Sequence, residues 1–379
     1  PRPDSPADQE TPVLSVPTVS IRDFAVAQLQ ILLRAVGLAD SAESAMKLLA
    51  EALGPGGERP LSAVPHWPSD VADDHTPVEF SVALAQHEPP SVRMIVESLA
   101  EQERPDLRAN AGAALGVLEQ LAVRHRLDVR QLDAVRDLFL PEDPQGAFAF
   151  WYSLIVQAGA APAIKVYLNP EARGRESATS VVREALTRLG LGTAYDTVTS
   201  HALRRTGRDR FSFFALDLTD DEQARVKTYV AHEAAEIPDV VAAAAATPDI
   251  DRELLSDVVA LACGGTGPFT GRPLMSSYTF MSGDTDRPSG YSLYIPVRDY
   301  VRDDLEACER VLAIMARCGL DTAPFVMALA SMVRRPLANG VGLIAHVSLR
   351  LGRPRPGVTV YLSSEAYDVT PARKTAMSL

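Results

Sequence analysis

Five times along this chain, two strand-patterned segments are joined by a short turn, with helical sequence between one pair and the next, and that recurrence limits the fold more than any other feature. The pairs are 76–85 with 91–97, 147–157 with 162–168, 210–218 with 225–231, 274–282 with 290–297, and 341–351 with 357–363. Helical stretches are expected over about 106–138, 177–189, 251–263 and 303–318, with one leading helix over about 21–53. Ten antiparallel strands in an open sheet would leave two bare edges and an uncovered face. Closure into a barrel, with the helices outside, removes the edges and covers that face. The expected fold is therefore α+β, a ten-stranded antiparallel barrel of five ββα repeats. It forms one domain over 21–370, between a disordered arm (1–20) and a C-terminal tail (371–379).

The strands alternate in an unusual sense. One face is Val, Leu, Ile and Phe; the other carries Glu79, Lys165, Arg225, Lys227, Ser292 and Thr359 together with tyrosines. The apolar face suits the helices, which leaves a polar, aromatic lumen. The chain has only four lysines, and two of them, Lys165 and Lys227, fall inside these strands. On the second strand of four repeats, a tyrosine follows a polar residue by two: Lys165 and Tyr167, Lys227 and Tyr229, Ser292 and Tyr294, Thr359 and Tyr361. In the first repeat the matching pair is Arg93 and Ile95. A single Lys-x-Tyr is an ordinary solvent-face pair, but its recurrence in a closed barrel converges Arg93, Lys165, Arg225 and Lys227. Such a set repels itself and loses hydration unless an anion of high charge binds there. A diphosphate, with tyrosine hydroxyls as further donors, meets that requirement.

These segments resemble the αββα barrel of the dimethylallyltryptophan synthase family, an aromatic prenyltransferase family. The residues that carry the likeness are Thr76-Pro77-Val78-Glu79-Phe80-Ser81, Lys165-Val166-Tyr167 and Arg225-Val226-Lys227-Thr228-Tyr229, and it spans about 70–363. The resemblance implies that Glu79 accepts the indole N–H and that Arg93, Lys165, Arg225 and Lys227 bind the diphosphate. It implies that Tyr167, Tyr229, Tyr294 and Tyr361 shield the allyl cation. The implied reaction is transfer of a dimethylallyl group from dimethylallyl diphosphate to L-tryptophan or another indole-containing acceptor, with no metal and no cofactor. Family members that alkylate indole C4 carry a lysine on the third strand; residues 147–157 have none and hold Trp151 and Tyr152 instead. That is closer to enzymes acting on the benzenoid carbons, with C6 favoured.

Two other readings stay open: prenylation of a phenol, a naphthalene or an indole-containing peptide, and a non-catalytic barrel that binds an anion. A net charge of −12 argues against nucleic acid. No window reaches the roughly 20 apolar residues of a membrane span. Three scattered cysteines and no visible secretory signal point to the cytoplasm, as a monomer or homodimer. The acidic pairs Asp73-Asp74, Asp220-Asp221 and Asp303-Asp304 never complete a DDxxD magnesium motif and suit loops and helix starts. His232 to Glu236 lacks the second histidine of a zinc helix and is expected in a loop, and Gly264 to Gly267 reads as a flexible connector.

Overall fold

Period-two alternation in the strand pairs closes a barrel in the computed structural model, which describes residues 19–220, 224–352 and 356–373. The elements run α1 (Ile21–Ala35), α2 (Ala42–Ala52), β1 (Val78–Leu84), β2 (Ser91–Glu97), α3 (Leu107–His125), α4 (Arg130–Phe139), β3 (Phe150–Val156) and β4 (Ala163–Leu168). They continue α5 (Ala178–Arg188), α6 (Gly192–Ala202), β5 (Asp209–Asp217), β6 (Val226–His232), α7 (Ile237–Ala244), α8 (Arg252–Cys263), β7 (Leu274–Phe280) and β8 (Gly290–Ile295). Last come α9 (Asp304–Arg317), α10 (Ala323–Met332), β9 (Gly340–Val341), β10 (Ile344–Gly352), β11 (Gly357–Leu362) and β12 (Thr370–Pro371).

The barrel follows chain order from β1 to β8, then β10 and β11, and β11 closes antiparallel onto β1 with Phe80 opposite Leu362 and Leu84 opposite Val358. The outward set, such as Val78, Phe80 and Val82 on β1 and Val92, Met94 and Val96 on β2, is fully buried against the helices. Helix starts are fixed by side-chain caps: Ser20, Asp106, Asp251 and Asp303 accept the backbone N–H of Asp23, Ala109, Leu254 and Glu306.

Where the sequence suggested one helix per repeat, the structure has two. Gly37, at φ 79°, separates α1 from α2, and Arg126, at φ 52°, ends α3 before α4. Helix α6 starts at a glycine and is rich in threonine, so its propensity is poor and packing sustains it. Residues 233–236 form the expected loop, which ends on Glu236, the N-cap of α7 in a capping box with Asp239. His232 is the last residue of β6 and is buried, with its ring nitrogens 2.9 Å from Asp209 Oδ1 and Ser276 Oγ. Gly264 is the left-handed C-cap of α8.

At the ends, Ser20 caps α1 and bridges to Pro60, so the expected disordered arm does not extend that far; 1–18 lie outside the described residues. Thr370–Pro371 pairs with β9 and Arg373 donates to the Arg298 carbonyl at 2.7 Å, while 374–379 lie outside the described residues. Among the described residues, no helix is long and apolar enough to cross a membrane.

Candidate active site

The lumen is layered, and strand register sets the layers. Across β3 and β4, Lys165 faces Ser153 and Tyr167 faces Trp151; across β5 and β6, Lys227 faces Ala215 and Tyr229 faces Phe213. Each lysine therefore sits one inward step below its tyrosine, at one level of the barrel. The four tyrosines form a continuous belt: ring centroids are 5.7 Å apart for Tyr167–Tyr229, 5.7 Å for Tyr229–Tyr294 and 5.9 Å for Tyr294–Tyr361. The Tyr229 hydroxyl donates to that of Tyr167 at 3.2 Å. Burial raises the pKa of Tyr167, Tyr229 and Tyr361, so these rings are neutral phenols.

Below the belt lie the cations. Arg93, Lys165, Arg225 and Lys227 all line one small space of about 30 Å³, as the sequence suggested. Lys165 Nζ is 3.4 Å from Asp217 Oδ1, Arg225 Nε donates to Asp217 Oδ2 at 2.6 Å, and Lys227 Nζ lies 5.7 Å from the Tyr229 ring centre. Burial pulls Lys165 down to about 8, against the opposing pull of Asp217. Lys227 is held well below its usual range by burial and by Lys165, Arg225 and Arg93. Two members of this layer were not singled out from the sequence. Asp217 faces Lys165 across β4 and β5, and Arg350, on β10, faces Ser292 of β8. Burial, then Arg93 and Arg225, bring Arg350 down to about 10. Its spacing of two from Ser348 was the available signal, but it lies on the first strand of its repeat, outside the second-strand alignment.

Above the belt is a chamber of about 440 Å³, within the range of small-ligand sites. Glu79 opens into it from β1, 6% exposed, with no hydrogen bond to another described residue. Burial, then Asp74, raise its carboxyl to about 8, with Arg298 opposing. Trp151 and Phe213 form one wall; Phe148 stacks on both, at 4.1 and 5.1 Å between centroids. Tyr152 points the other way and donates to the Ala114 carbonyl at 2.6 Å. A β-bulge at Ser212 turns Phe213 inward while Phe211 stays in the outer core. The roof is the segment before β1, which brings Asp70, Asp73 and His75 to the chamber. Glu97, 1% exposed, anchors that roof by accepting from Trp67 Nε1 at 2.8 Å and Ser69 Oγ at 2.6 Å; burial lifts it to about 7. Two of the acidic pairs have structural duties, and Asp221 of the third lies outside the described residues. Asp73 pairs with Arg272 and Arg298, Asp74 accepts from Thr76 and Ala366, and Asp303 caps α9. No cluster of three or more His, Cys, Asp or Glu suited to a metal ion occurs among the described residues.

A chamber walled by aromatic rings and separated by four tyrosines from a cationic floor is a two-substrate arrangement. The family model described as tryptophan dimethylallyltransferase matches residues 43–325. The chain belongs to the tryptophan dimethylallyltransferase family. It is 49% identical to 6-dimethylallyltryptophan synthase from Micromonospora olivasterospora, solved in complex with DMASPP and Trp, over 93% of this chain and 99% of that one, at a TM-score of 0.88. It is 36% identical to 5-dimethylallyl tryptophan synthase from Streptomyces coelicolor, also with DMASPP and Trp, over 95% and 99%, at 0.85. AnaPT from Neosartorya fischeri, at 17% identity and a TM-score of 0.73 over 96% and 97%, shares the fold.

Proposed function

We propose that this member of the family transfers a dimethylallyl group from dimethylallyl diphosphate to C6 of L-tryptophan, without a metal ion, as a single barrel domain over 21–370. The observation that carries the reading is the tyrosine belt, set between a chamber that presents one open carboxyl and a floor of converging cations. Burial of like charges beside one another is costly unless an anion joins them. Diphosphate would take that place, with Lys165 and Arg225 exchanging Asp217 for phosphate oxygens and Arg93, Lys227 and Arg350 completing the set.

In the reaction, the allylic C–O bond breaks and its electron pair leaves with the diphosphate, whose charge the cations offset. The allyl cation then lies against tyrosine faces, which attract it without donating a lone pair to it. Ring π electrons of the indole form the new C–C bond. Glu79, ionised, accepts the indole N–H, and that bond strengthens as positive charge spreads onto the ring nitrogen. Trp151 and Phe213 hold the indole plane and exclude water from the cation. The greater identity to the 6-synthase than to the 5-synthase favours C6. Three free cysteines, Cys263, Cys308 and Cys318, fit a cytoplasmic site of action.

The test is to incubate purified protein with dimethylallyl diphosphate and tryptophan, and with phenolic, naphthalenic and indole-peptide acceptors in parallel. NMR of the product assigns the ring position. Conversion of tryptophan at C6 is expected. Preferred conversion of a phenol or naphthalene would replace tryptophan as acceptor, and no conversion of any acceptor would leave an anion-binding barrel.

A further inference from the structure

None of the groups given a role above removes the ring proton. When a benzenoid carbon of indole is alkylated it becomes tetrahedral and keeps its hydrogen, and aromaticity returns only when a base takes that proton. The base must be uncharged or anionic, must carry a free lone pair, and must face the chamber.

Most groups around the chamber fail one of these conditions. Glu79 is assigned to the indole N–H. Asp73 is held by Arg272 and Arg298. Asp70 lines the chamber but is largely exposed to water, and His75 Nδ1 donates to the Ser69 carbonyl at 3.3 Å, which leaves its Nε2 as another lone pair on the roof. Tyr167, Tyr229 and Tyr361 are neutral phenols, and a phenol hydroxyl is a feeble proton acceptor.

His346 meets all three. It lines the chamber from β10, and neither ring nitrogen hydrogen-bonds to another described residue. Its ring packs edge-on to Tyr361, centroids 6.1 Å apart, with Tyr361 directly across the ladder. Tyr361 in turn faces Ser81 on β1, and Glu79 is the next inward residue on that strand. Glu79 and His346 therefore stand on walls two strands apart and one inward step apart along the barrel, roughly 12 Å between backbones by strand spacing and rise, and an indole fits between the two side chains with its N–H toward one and its benzenoid edge toward the other.

The backbone is shaped to present this ring. A β-bulge at Ala345 lets Ile344 stay in the outer core while His346 turns inward. The bulge is clamped from behind by Asp304, which is fully buried and accepts the N–H groups of Gly342, Leu343 and Ile344 at 3.0, 3.2 and 3.0 Å. Arg335 pairs with Asp304 at 2.5 Å and with Glu365 at 2.5 Å. A buried carboxylate is costly, and here three of the four hydrogen bonds it accepts among the described residues go to the turn that aims His346, the fourth coming from Arg335.

We propose that His346 is the catalytic base, and that it takes the proton from the alkylated benzenoid carbon of the indole. The C–H electron pair returns to the ring, the proton passes to an imidazole nitrogen, and the imidazolium releases it through the chamber mouth to solvent. Burial, then Arg272 and Arg298, with Asp299 opposing, bring His346 down to about 3, so its lone pair is free at working pH. So weak a base is sufficient because an arenium proton is far more acidic than any side chain, and a neutral ring does not repel the allyl cation. This inference rests on the function proposed above.

The experiment compares wild type with His346→Ala and His346→Gln, using tryptophan with protium or with deuterium on all indole carbons. In wild type, alkylation should limit the rate and the isotope effect on turnover should be near unity. In both variants turnover should fall about 10²–10⁴-fold, the usual weight of a general base, and a normal primary isotope effect should emerge. Melting temperature and affinity for a thiodiphosphate donor analogue should match wild type. Glutamine fills the ring's volume and carries the test if the alanine variant does not fold. Wild-type turnover in a folded variant, or a loss of turnover with an isotope effect still near unity, would overturn the assignment. Wild-type protein that prenylates no tryptophan at all would instead overturn the functional reading, and this base with it.

Discussion

Lys165 and Asp217 face each other across the β4–β5 ladder, Nζ to Oδ1 at 3.4 Å, with Arg225 on the other carboxylate oxygen. One buried carboxylate thus holds two of the cations in the absence of an anion, and Lys165 keeps its proton only up to about pH 8. Lys165 is charged below that value and neutral above it, so affinity for a thiodiphosphate analogue should weaken as pH rises from 7 to 9.5. Lys165→Ala and Lys227→Ala should each weaken binding about tenfold or more, the worth of one hydrogen bond to a charged group, and Lys165→Ala should flatten the pH dependence. Isothermal titration at several pH values reads both. Unchanged affinity in both variants would move the diphosphate away from this floor.

Glu79 sits on the opposite side of the same pH range. Its folded pKa, about 8, lies above its ordinary 4.5, so the carboxyl must lose a proton to serve the indole N–H. The ratio kcat/KM should therefore rise with pH toward about 8 and fall beyond it as Lys165 discharges, giving a bell. Glu79→Gln should slow turnover about 10²–10³-fold, as removal of one preorganised charge-stabilising partner does.

The same shift has a stability sign. Between pH 4.5 and 8 the folded state holds a proton on Glu79 that the unfolded chain releases, so stability falls as pH rises through that window. Glu79→Gln should remove this part of the slope, and the variant should melt no lower than wild type at pH 8. A variant that melts well below wild type there would show that Glu79 stabilises the barrel rather than serving the site.

Chelation tests the charge balance of the floor. Dimethylallyl diphosphate carries about three negative charges near neutral pH, which magnesium enzymes offset with bound ions. Arg93, Lys165, Arg225, Lys227 and Arg350 all line one space here. Turnover at fixed ionic strength with excess EDTA should stay near its initial rate. A drop to background that magnesium alone restores would make the magnesium-dependent relatives the better guide.

Asp304 offers a test by stability. Asp304→Ala leaves three backbone N–H groups and Arg335 without their buried acceptor. Loss of one partner from a buried ion pair costs about 3–5 kcal/mol, so thermal unfolding should shift down by many degrees. An exposed control such as Asp133→Ala, beside Arg136, should change stability little.

Much of this was legible locally. Alternation with period two assigns Lys165 and Tyr167, or Lys227 and Tyr229, to one face whatever the strands pair with, because neighbouring side chains on a strand point to opposite sides. Recurrence of that pattern, with Glu79 on the polar face of β1, implied the barrel and its polar lumen before any register was known. Helices α6, α7 and α10 were missed because Thr-rich, Pro-led or almost wholly apolar segments carry little periodic signal, and packing on the barrel decides their conformation.

The sequence by itself determined the five repeats, the inward rows of cations and tyrosines, and the face on which Glu79 lies. Only the tertiary structure decided which rows meet. Asp217 is far from Lys165 in the chain, and Arg350 farther still, so their place in the floor depends on register across several strands. Phe213 and His346 reach the chamber because bulges at Ser212 and Ala345 add a residue to one strand and not to its partner. A bulge has no local signature in an alternating sequence; it exists where packing outside and a clamp such as Asp304 make the extra residue cheaper than a broken ladder.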